Sequence, residues 1–580
     1  MHRFRVWAPG RRGVTLVADG RTLAMSPADQ GWWEIWDDVA GAGTRYGYSL
    51  DGGEIRPDPR SASQPDGVLG LSELIDQAAY SWSDGGWKGM RLNEAVIYEL
   101  HSGTFSSKGT FDGIIEHLPH LVALEVDAIE LMPVAEFSGD RGWGYDGVDL
   151  FAPHHAYGGP AGLKRLVDEC HLAGLGVVMD AVYNHLGPVG NFLSEFGPYF
   201  SDHHHTDWGA GFNFDGPGND EVRRFVLDNA LMWIRDYHVD GLRLDAVQAI
   251  ADDTPFHILA QLAAEVEALG DELHRATFVI AESDLNDPRF VRSRDAGGYG
   301  FDAAWSDDWH HAVHATLTEE RTGYYEDFGS MEILAKALRQ AWAYDGEWSA
   351  HRQKIHGGSA AGLPPETFVI AVQNHDQVGN RAAGDRLAAL VDEGALKAAA
   401  TLLLTAPFTP MLFQGEEWAA SSPFQYFTDH SDPGLGKAVS EGRRREFAKF
   451  GWDPNRIPDP QDPRTFDSSK LAWGELDEPS HRRMLEWYRD LIRLRRRLPA
   501  PRGSAGGGVH VQVDAETRTL AFDRGSLSVR VNFGEKDWVS PMSEGARVLM
   551  ASDPAIRQDG GCVCVPPSNV VIIESSIAVD

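Results

Sequence analysis

Eight short apolar runs recur between residues 95 and 417, most with a helix-like stretch before the next. They are AVIYELH (95–101), AIELMP (128–133), GVVMDAV (176–182), GLRLDAV (241–247), TFVIAES (277–283), FDAAW (301–305), TFVIAVQNHD (367–376) and PMLFQGEE (410–417). Runs this apolar suit strands covered on both faces, as in a parallel sheet flanked by helices. Helix-like stretches include 161–173, 220–238, 256–270, 331–343, 393–404 and 480–498. Eight such units imply closure, so the expected fold class is α/β, a (β/α)₈ TIM barrel over 91–500. The segment 184–219 is rich in Gly, His and Phe and reads as a long inserted loop. Loops of that length in a compact domain are usually functional.

The flanks have a different rhythm. In 1–90, FRVWAP, GVTLVAD, GWWEIWDDV and TRYGYSLDG alternate apolar and polar residues between turns. That pattern predicts an N-terminal β-sandwich, of the kind seen in carbohydrate-binding modules. Trp7, Trp32, Trp33 and Trp36 are expected to pack its core and its contact with the barrel. In 501–580, the Gly-rich SAGGG (504–508) leads into VHVQVD, TLAFD, LSVRVNF, CVCV and VVII, which predict a C-terminal β-sandwich.

Charge and cysteine usage narrow the partners. A net charge of −34 disfavours nucleic acid and anionic membranes, which need a basic face. No apolar run reaches membrane-spanning length and MHRFRVWAPG lacks a leader-like core, so a cytoplasmic location is expected. Cys170, Cys562 and Cys564 make no disulfide framework. His203–His205 have no Glu or Cys at helix spacing and read as a solvated loop. No metal and no cofactor are expected.

A barrel of this kind carries its active site at the C-terminal ends of its strands. Asp180, Asp245, Glu282 and Asp376 close the third, fourth, fifth and seventh runs. Arg243 and Asp245 are i and i+2, so they share one face of a strand. A cation there holds the carboxylate ionised, as a nucleophile requires. Glu282, facing other acids, is expected to have a raised pKa, which suits a general acid. Asp376 follows His375, and Asp180, Asn184 and His185 form a D-x-x-x-N-H pattern. Any one cluster alone reads as an ion pair or a cap. Four converging on one mouth point to acid-assisted cleavage of a neutral substrate.

DAVYNH (180–185), GLRLDAV (241–247), IAES (280–283) and QNHDQ (373–377) resemble the four signature regions of the α-amylase superfamily, glycoside hydrolase family 13. The resemblance implies that Asp245 is the nucleophile, Glu282 the acid/base and Asp376 the transition-state stabiliser. It implies that His185, Arg243 and His375 contact the sugar at the cleavage site and that Asp180 supports the arginine. Tyr145, in GWGYDG, matches a tyrosine that stacks on the same sugar. The implied mechanism is retaining, with the two carboxyls about 5–5.5 Å apart.

Within that superfamily, IYELHSGTFS (97–106), WGYDGVDLFAPHHAYGGP (143–160), IAESDLNDPR (280–289), FDAAWSDDWHHAVH (301–314) and QNHDQVGNR (373–381) are most similar to the maltooligosyltrehalose trehalohydrolases. That implies hydrolysis of the α-1,4 bond beside a terminal trehalose. Glucan branching enzymes share much of the pattern but usually carry Ser-His-Asp-Glu where this chain has Asn374-His375-Asp376-Gln377. Gln377 therefore favours the hydrolase over the transferase. A non-catalytic glucan-binding role is disfavoured because all three acids are present. Trp305 and Asp308 are expected to shape the site toward trehalose. Trp208, Phe212, Trp309, Phe328 and Trp418 are further aromatic candidates near the strand ends, and aromatic faces stack on sugar rings.

Overall fold

In the computed structural model the eight runs become strands β1 (Ile97–Leu100), β2 (Ala128–Leu131), β3 (Gly176–Ala181), β4 (Gly241–Leu244), β5 (Phe278–Ala281), β6 (Ala303–Trp305), β7 (Phe368–Ala371) and β8 (Thr409–Phe413). Each pairs in parallel with the next, and β8 returns to β1, so the sheet closes into a barrel. Every residue of these strands is buried, as expected of strands with a packed interior and an outer ring of helices. The structure describes residues 1–206, 208–448, 457–498 and 509–575. The Gly-rich run 504–508 and the boundary expected at 500/501 lie outside the described residues.

The register explains how the site is made. Ile97, Ala128, Val178, Ile280 and Met411 belong to one apolar cluster that plugs the barrel. Two residues further along four of these strands come Glu99, Glu130, Asp180 and Glu282. Residues i and i+2 share a face, so the strands deliver a polar row directly above an apolar plug. Glu130 lies level with Glu99, and Asp180 level with Arg243.

The expected helices form as Gly159–Leu172, Asn219–Asp236, Ile258–Leu273, Met331–Gln340, Glu393–Thr405 and Pro479–Arg497. The helix over 331–343 stops early because Ala341 turns to φ 64°. Asp392 caps the helix that follows it, accepting from Ala395 N at 2.8 Å. Several helices lie outside the stretches read from the sequence, among them Asp307–Thr318, directly after β6. Its residues DDWHHAVHATLT look too polar for a packed helix. Burial of His310 is made possible by a 2.6 Å hydrogen bond between its Nδ1 and the Val372 carbonyl.

The inserted segment is less loop-like than expected. It contains a turn of helix, Leu193–Phe196, and a hairpin of Phe200–Thr206 with Gly209–Phe212. The tract His203–His205 therefore lies on a strand rather than a loop; His203 and His205 are exposed, as expected, and His204 pairs with Asp215 at 2.7 Å.

At the N-terminus, one sheet joins His2–Trp7, Trp32–Asp37 and Ser26–Pro27, and a second is built around Val14–Ala18 and Arg45–Leu50. Trp7 is buried and meets Tyr199 edge-on at 5.2 Å. Trp32 donates to Glu221 at 3.0 Å, and Arg60 pairs with Asp228 at 2.8 Å, so both tie this unit to the Asn219–Asp236 helix. Trp33 is buried, whereas Trp36 is 58% exposed and contributes no core packing. At the C-terminus, a five-stranded sheet and a three-stranded sheet form, with the expected strands Val509–Asp514, Thr519–Arg524, Leu527–Asn532, Cys562–Val565 and Asn569–Glu574. Arg524 reaches back to the Thr405 and Ala406 carbonyls, both at 2.9 Å. Among the described residues no helix is long and apolar enough to cross a membrane.

Candidate active site

Arg243 is the hub of the barrel mouth. It is wholly buried, and its Nη1 lies 2.8 and 2.7 Å from the two oxygens of Asp180. The same nitrogen is 2.9 Å from Asp245 Oδ1, while Nη2 is 3.4 Å from Glu282 Oε2. A buried cation is tolerable only when such acids surround it. Planarity makes arginine suited to this position, because its fork addresses several oxygens in fixed directions. The indole of Trp305 covers the guanidinium at 4.3 Å. Trp305 therefore packs on the hub, and at 4% exposure it has little surface left for a ligand.

Asp245 is oriented from both sides. Asn184 Nδ2 donates to its Oδ2 at 2.9 Å, and Asn184 Oδ1 accepts from His185 Nδ1 at 2.9 Å. The D-x-x-x-N-H spacing thus works as a unit: Asp180 holds the arginine while Asn184 and His185 hold the acid. The next residue, Ala246, has φ 40°, a left-handed conformation unusual for a side chain bearing Cβ. That turn aims its N–H at Glu282 Oε2, 2.6 Å away.

The Glu282 carboxyl is pushed up to about 8. Burial is the main cause; Asp245, Asp307 and Asp376 add to it, and Arg243 opposes it. Glu282 is therefore mostly protonated at neutrality; Asp245 pairs with Arg243 and accepts from Asn184.

Across the mouth, His375 is buried between Glu99 and Tyr145. Its Nδ1 donates to Glu99 Oε1 at 2.5 Å, and Glu99 Oε2 accepts from His375 N at 2.9 Å. Its Nε2 is 2.8 Å from the Tyr145 hydroxyl, which in turn donates to Asp180. Burial alone would lower the pKa of this imidazole, but the Glu99 and Asp376 carboxylates raise it to about 9. Tyr145 stacks on His375, with centroids 5.2 Å apart. Asp376 is the most open of the three central acids, its side chain 45% exposed against 13% for Asp245 and 14% for Glu282. Asn380 Nδ2 steadies it at 3.2 Å.

Tyr145, Asp180, His185, Arg243, Asp245, Glu282, His375 and Asp376 are thus brought to one mouth. A cavity of about 340 Å³ opens beside them, lined by Asp376, Gln377, Asp307, Arg352, Tyr324 and Trp208 among others. Trp208 is 55% exposed and stacks on His185 at 5.4 Å. Phe212, Trp309, Phe328 and Trp418 are buried as packing residues. Asp308 does not line the cavity. Its Oδ2 accepts from Asn286 at 2.7 Å, Ala343 N at 2.7 Å and Tyr344 N at 2.9 Å, so it pins the loop after the Met331–Gln340 helix. Its neighbour Asp307 faces the cavity instead.

The sequence reading missed Glu99 and Asp307. A signal for Glu99 was present: a lone acid in an apolar run, two residues after inward-facing Ile97. For Asp307 there was none, because a sequence does not say which of two adjacent acids a helix turns inward.

A sequence profile described as the α-amylase catalytic domain matches residues 62–211, and one described as a domain of unknown function (DUF3459) matches 504–571. A malto-oligosyltrehalose trehalohydrolase of Rhizobium sp. (strain M-11) is 49% identical over 98% of this chain and 97% of its own length. One from Arthrobacter ramosus is 51% identical over 91% of this chain and 92% of its own. A Salmonella typhimurium crystal structure designated an alpha amylase superposes with a TM-score of 0.90, at 38% identity, over 99% of this chain and 97% of that one. The chain belongs to the malto-oligosyltrehalose trehalohydrolase family.

Proposed function

We propose that this protein hydrolyses the α-1,4 bond next to the terminal trehalose of maltooligosyltrehalose, with retention at the anomeric carbon. Glu282 gives its proton to the glycosidic oxygen as that bond breaks. Asp245 attacks the anomeric carbon and forms a glycosyl ester, and trehalose leaves. Water then attacks the same carbon, Glu282 takes its proton, and Asp245 is released with the shortened maltooligosaccharide. Asp376 binds hydroxyls of the reacting sugar and steadies positive charge as it develops. His185, Arg243, His375 and Tyr145 hold that sugar and the acids around it, and Asp180 fixes the arginine.

The observation that carries this reading is the division of labour at Arg243. Asp245 and Glu282 approach different nitrogens of one buried guanidinium, yet Glu282 is pushed up to about 8 while Asp245 keeps the closer ion pair. A carboxyl able to give a proton beside a second carboxyl held in an ion pair is what a retaining glycosidase needs. The identity with relatives named for trehalose release supports the choice of bond.

The test is product analysis on maltooligosyltrehalose. Trehalose and a maltooligosaccharide shorter by that unit are expected, the new reducing end appearing first as the α-anomer. A β-anomer first would overturn the retaining mechanism, and new branch points without trehalose would overturn the substrate.

A further inference from the structure

The acids along the cavity wall are held in different ways. Asp284 lies 2.7 Å from Arg352, and Glu320 lies 2.8 Å from Arg381. Asp307 instead accepts the side-chain amide of Gln377, its Nε2 3.3 Å from Oδ1. Both residues are only partly buried and both line the cavity beside Asp376. The Asp307 charge also acts on Glu282, the group proposed to protonate the leaving oxygen. The cavity reaches Asp376 but its wall does not include Asp245 or Arg243. It therefore lies off the nucleophile, and Asp307 on its wall stands close enough to Glu282 for its charge to act on the acid that meets the departing sugar.

Each of those guanidinium groups brings a full positive charge to one oxygen of the acid it meets. The amide on Asp307 brings none, and it leaves the second carboxylate oxygen for a hydroxyl. The volume of about 340 Å³ falls within the range of small-ligand sites, roughly 300–1,000 Å³. We propose that Asp307, oriented by Gln377, accepts a hydroxyl of the leaving-side sugar and is a specificity-determining residue for the release of trehalose. The proposal rests on the function proposed above. It also gives Gln377 a physical reason. A glutamate there would set two carboxylates face to face, and one would have to become neutral.

The test uses the full chain as D307N, Q377E and the D307N/Q377E double variant. Each is assayed on maltooligosyltrehalose and on α-maltooligosyl fluoride, whose leaving group carries no sugar. The readout is the ratio of the two kcat/KM values, which does not depend on the folded fraction. D307N and Q377E are each expected to lower the ratio of sugar-leaving to fluoride-leaving cleavage by about tenfold or more. The double variant restores an amide–carboxylate pair with its polarity reversed, and recovery of the ratio above that of Q377E is expected. An unchanged ratio in D307N overturns the proposal, whatever happens to the absolute rates. Failure of the underlying reading looks different: the wild type would release no trehalose from the first substrate. The ratio would then be measured on the glucan that the wild type does cleave, and would still decide the role of Asp307.

Discussion

Arg243 Nη1 and Asp245 Oδ1, two residues apart in sequence, are 2.9 Å apart at the barrel mouth. The strand sets the pair, because residues i and i+2 stand on one face. Asp180, brought level with Arg243 by the neighbouring strand, keeps the guanidinium from turning away. The arginine is thereby fixed before any substrate arrives, and so is the acid proposed to attack.

Replacing the proposed nucleophile should remove the covalent route. D245A is expected to lower kcat/KM for trehalose release by more than about 10³-fold, with folding retained. Initial rates with a thermal melt check this. A variant that keeps most of its activity would place the nucleophile elsewhere.

The arginine should matter for stability as well as rate. R243L leaves Asp180 buried without its cation, and loss of one partner from such a pair costs about 3–5 kcal/mol. Denaturant unfolding measures it. A loss under about 1 kcal/mol would mean that Asp180 is protonated or hydrated in the folded protein.

The pH behaviour follows from Glu282 and His375. Glu282 acts as an acid only while protonated, so kcat/KM should fall on the alkaline side as pH passes about 8. Loss of the proton from His375, raised to about 9, should steepen the same limb. For stability the sign is also fixed. The folded-state pKa of Glu282 lies above the ordinary glutamate value of 4.5, so its favourable contribution is complete below pH 4.5 and is lost as pH rises through about 8. E282Q should therefore be inactive yet gain stability relative to wild type above pH 8. Melting curves at pH 5 and pH 9 test this, and a gap that shrinks with rising pH would contradict it.

Glu99 should act through His375. E99Q removes the carboxylate that raises the imidazole, so His375 should lose its proton at lower pH and the alkaline limb should move toward neutrality. A pH–rate profile of E99Q against wild type reads the shift. A limb that stays in place while the rate drops would assign Glu99 to packing alone.

Asp308 and Asp307 should part company. D308A leaves two backbone N–H groups and the Asn286 amide without their acceptor, a cost of about 1–3 kcal/mol for each buried group so stranded. Its effect should appear in the melting temperature. Its preference for maltooligosyltrehalose over plain maltooligosaccharide should change less than that of D307N. The opposite ranking would make Asp308 the selectivity residue.

The barrel was legible because its strands are buried on both faces and written as apolar runs. The polar ends of GLRLDAV, FVIAES and VQNHD also stood out, since a charge after such a run has no cheap place but the mouth. FDAAW shrank to Ala303–Trp305 without disturbing closure, because neighbouring strands supply the register. What lay beyond reading was contact at long sequence separation. Glu99 on β1 and His375, at the start of the helical turn after β7, meet from positions 276 residues apart.

The spacing of residues along the chain was enough to set the strand count, the order of the acids and the fork of Arg243 beside Asp245. Those depend on spacing of one or two residues, which a strand converts directly into a shared face. Which of Asp307 and Asp308 meets the cavity and which pins a loop was settled by packing between elements. Successive residues on a helix point about 100° apart, so the choice belongs to how that helix is rotated against β7 and the loops around it.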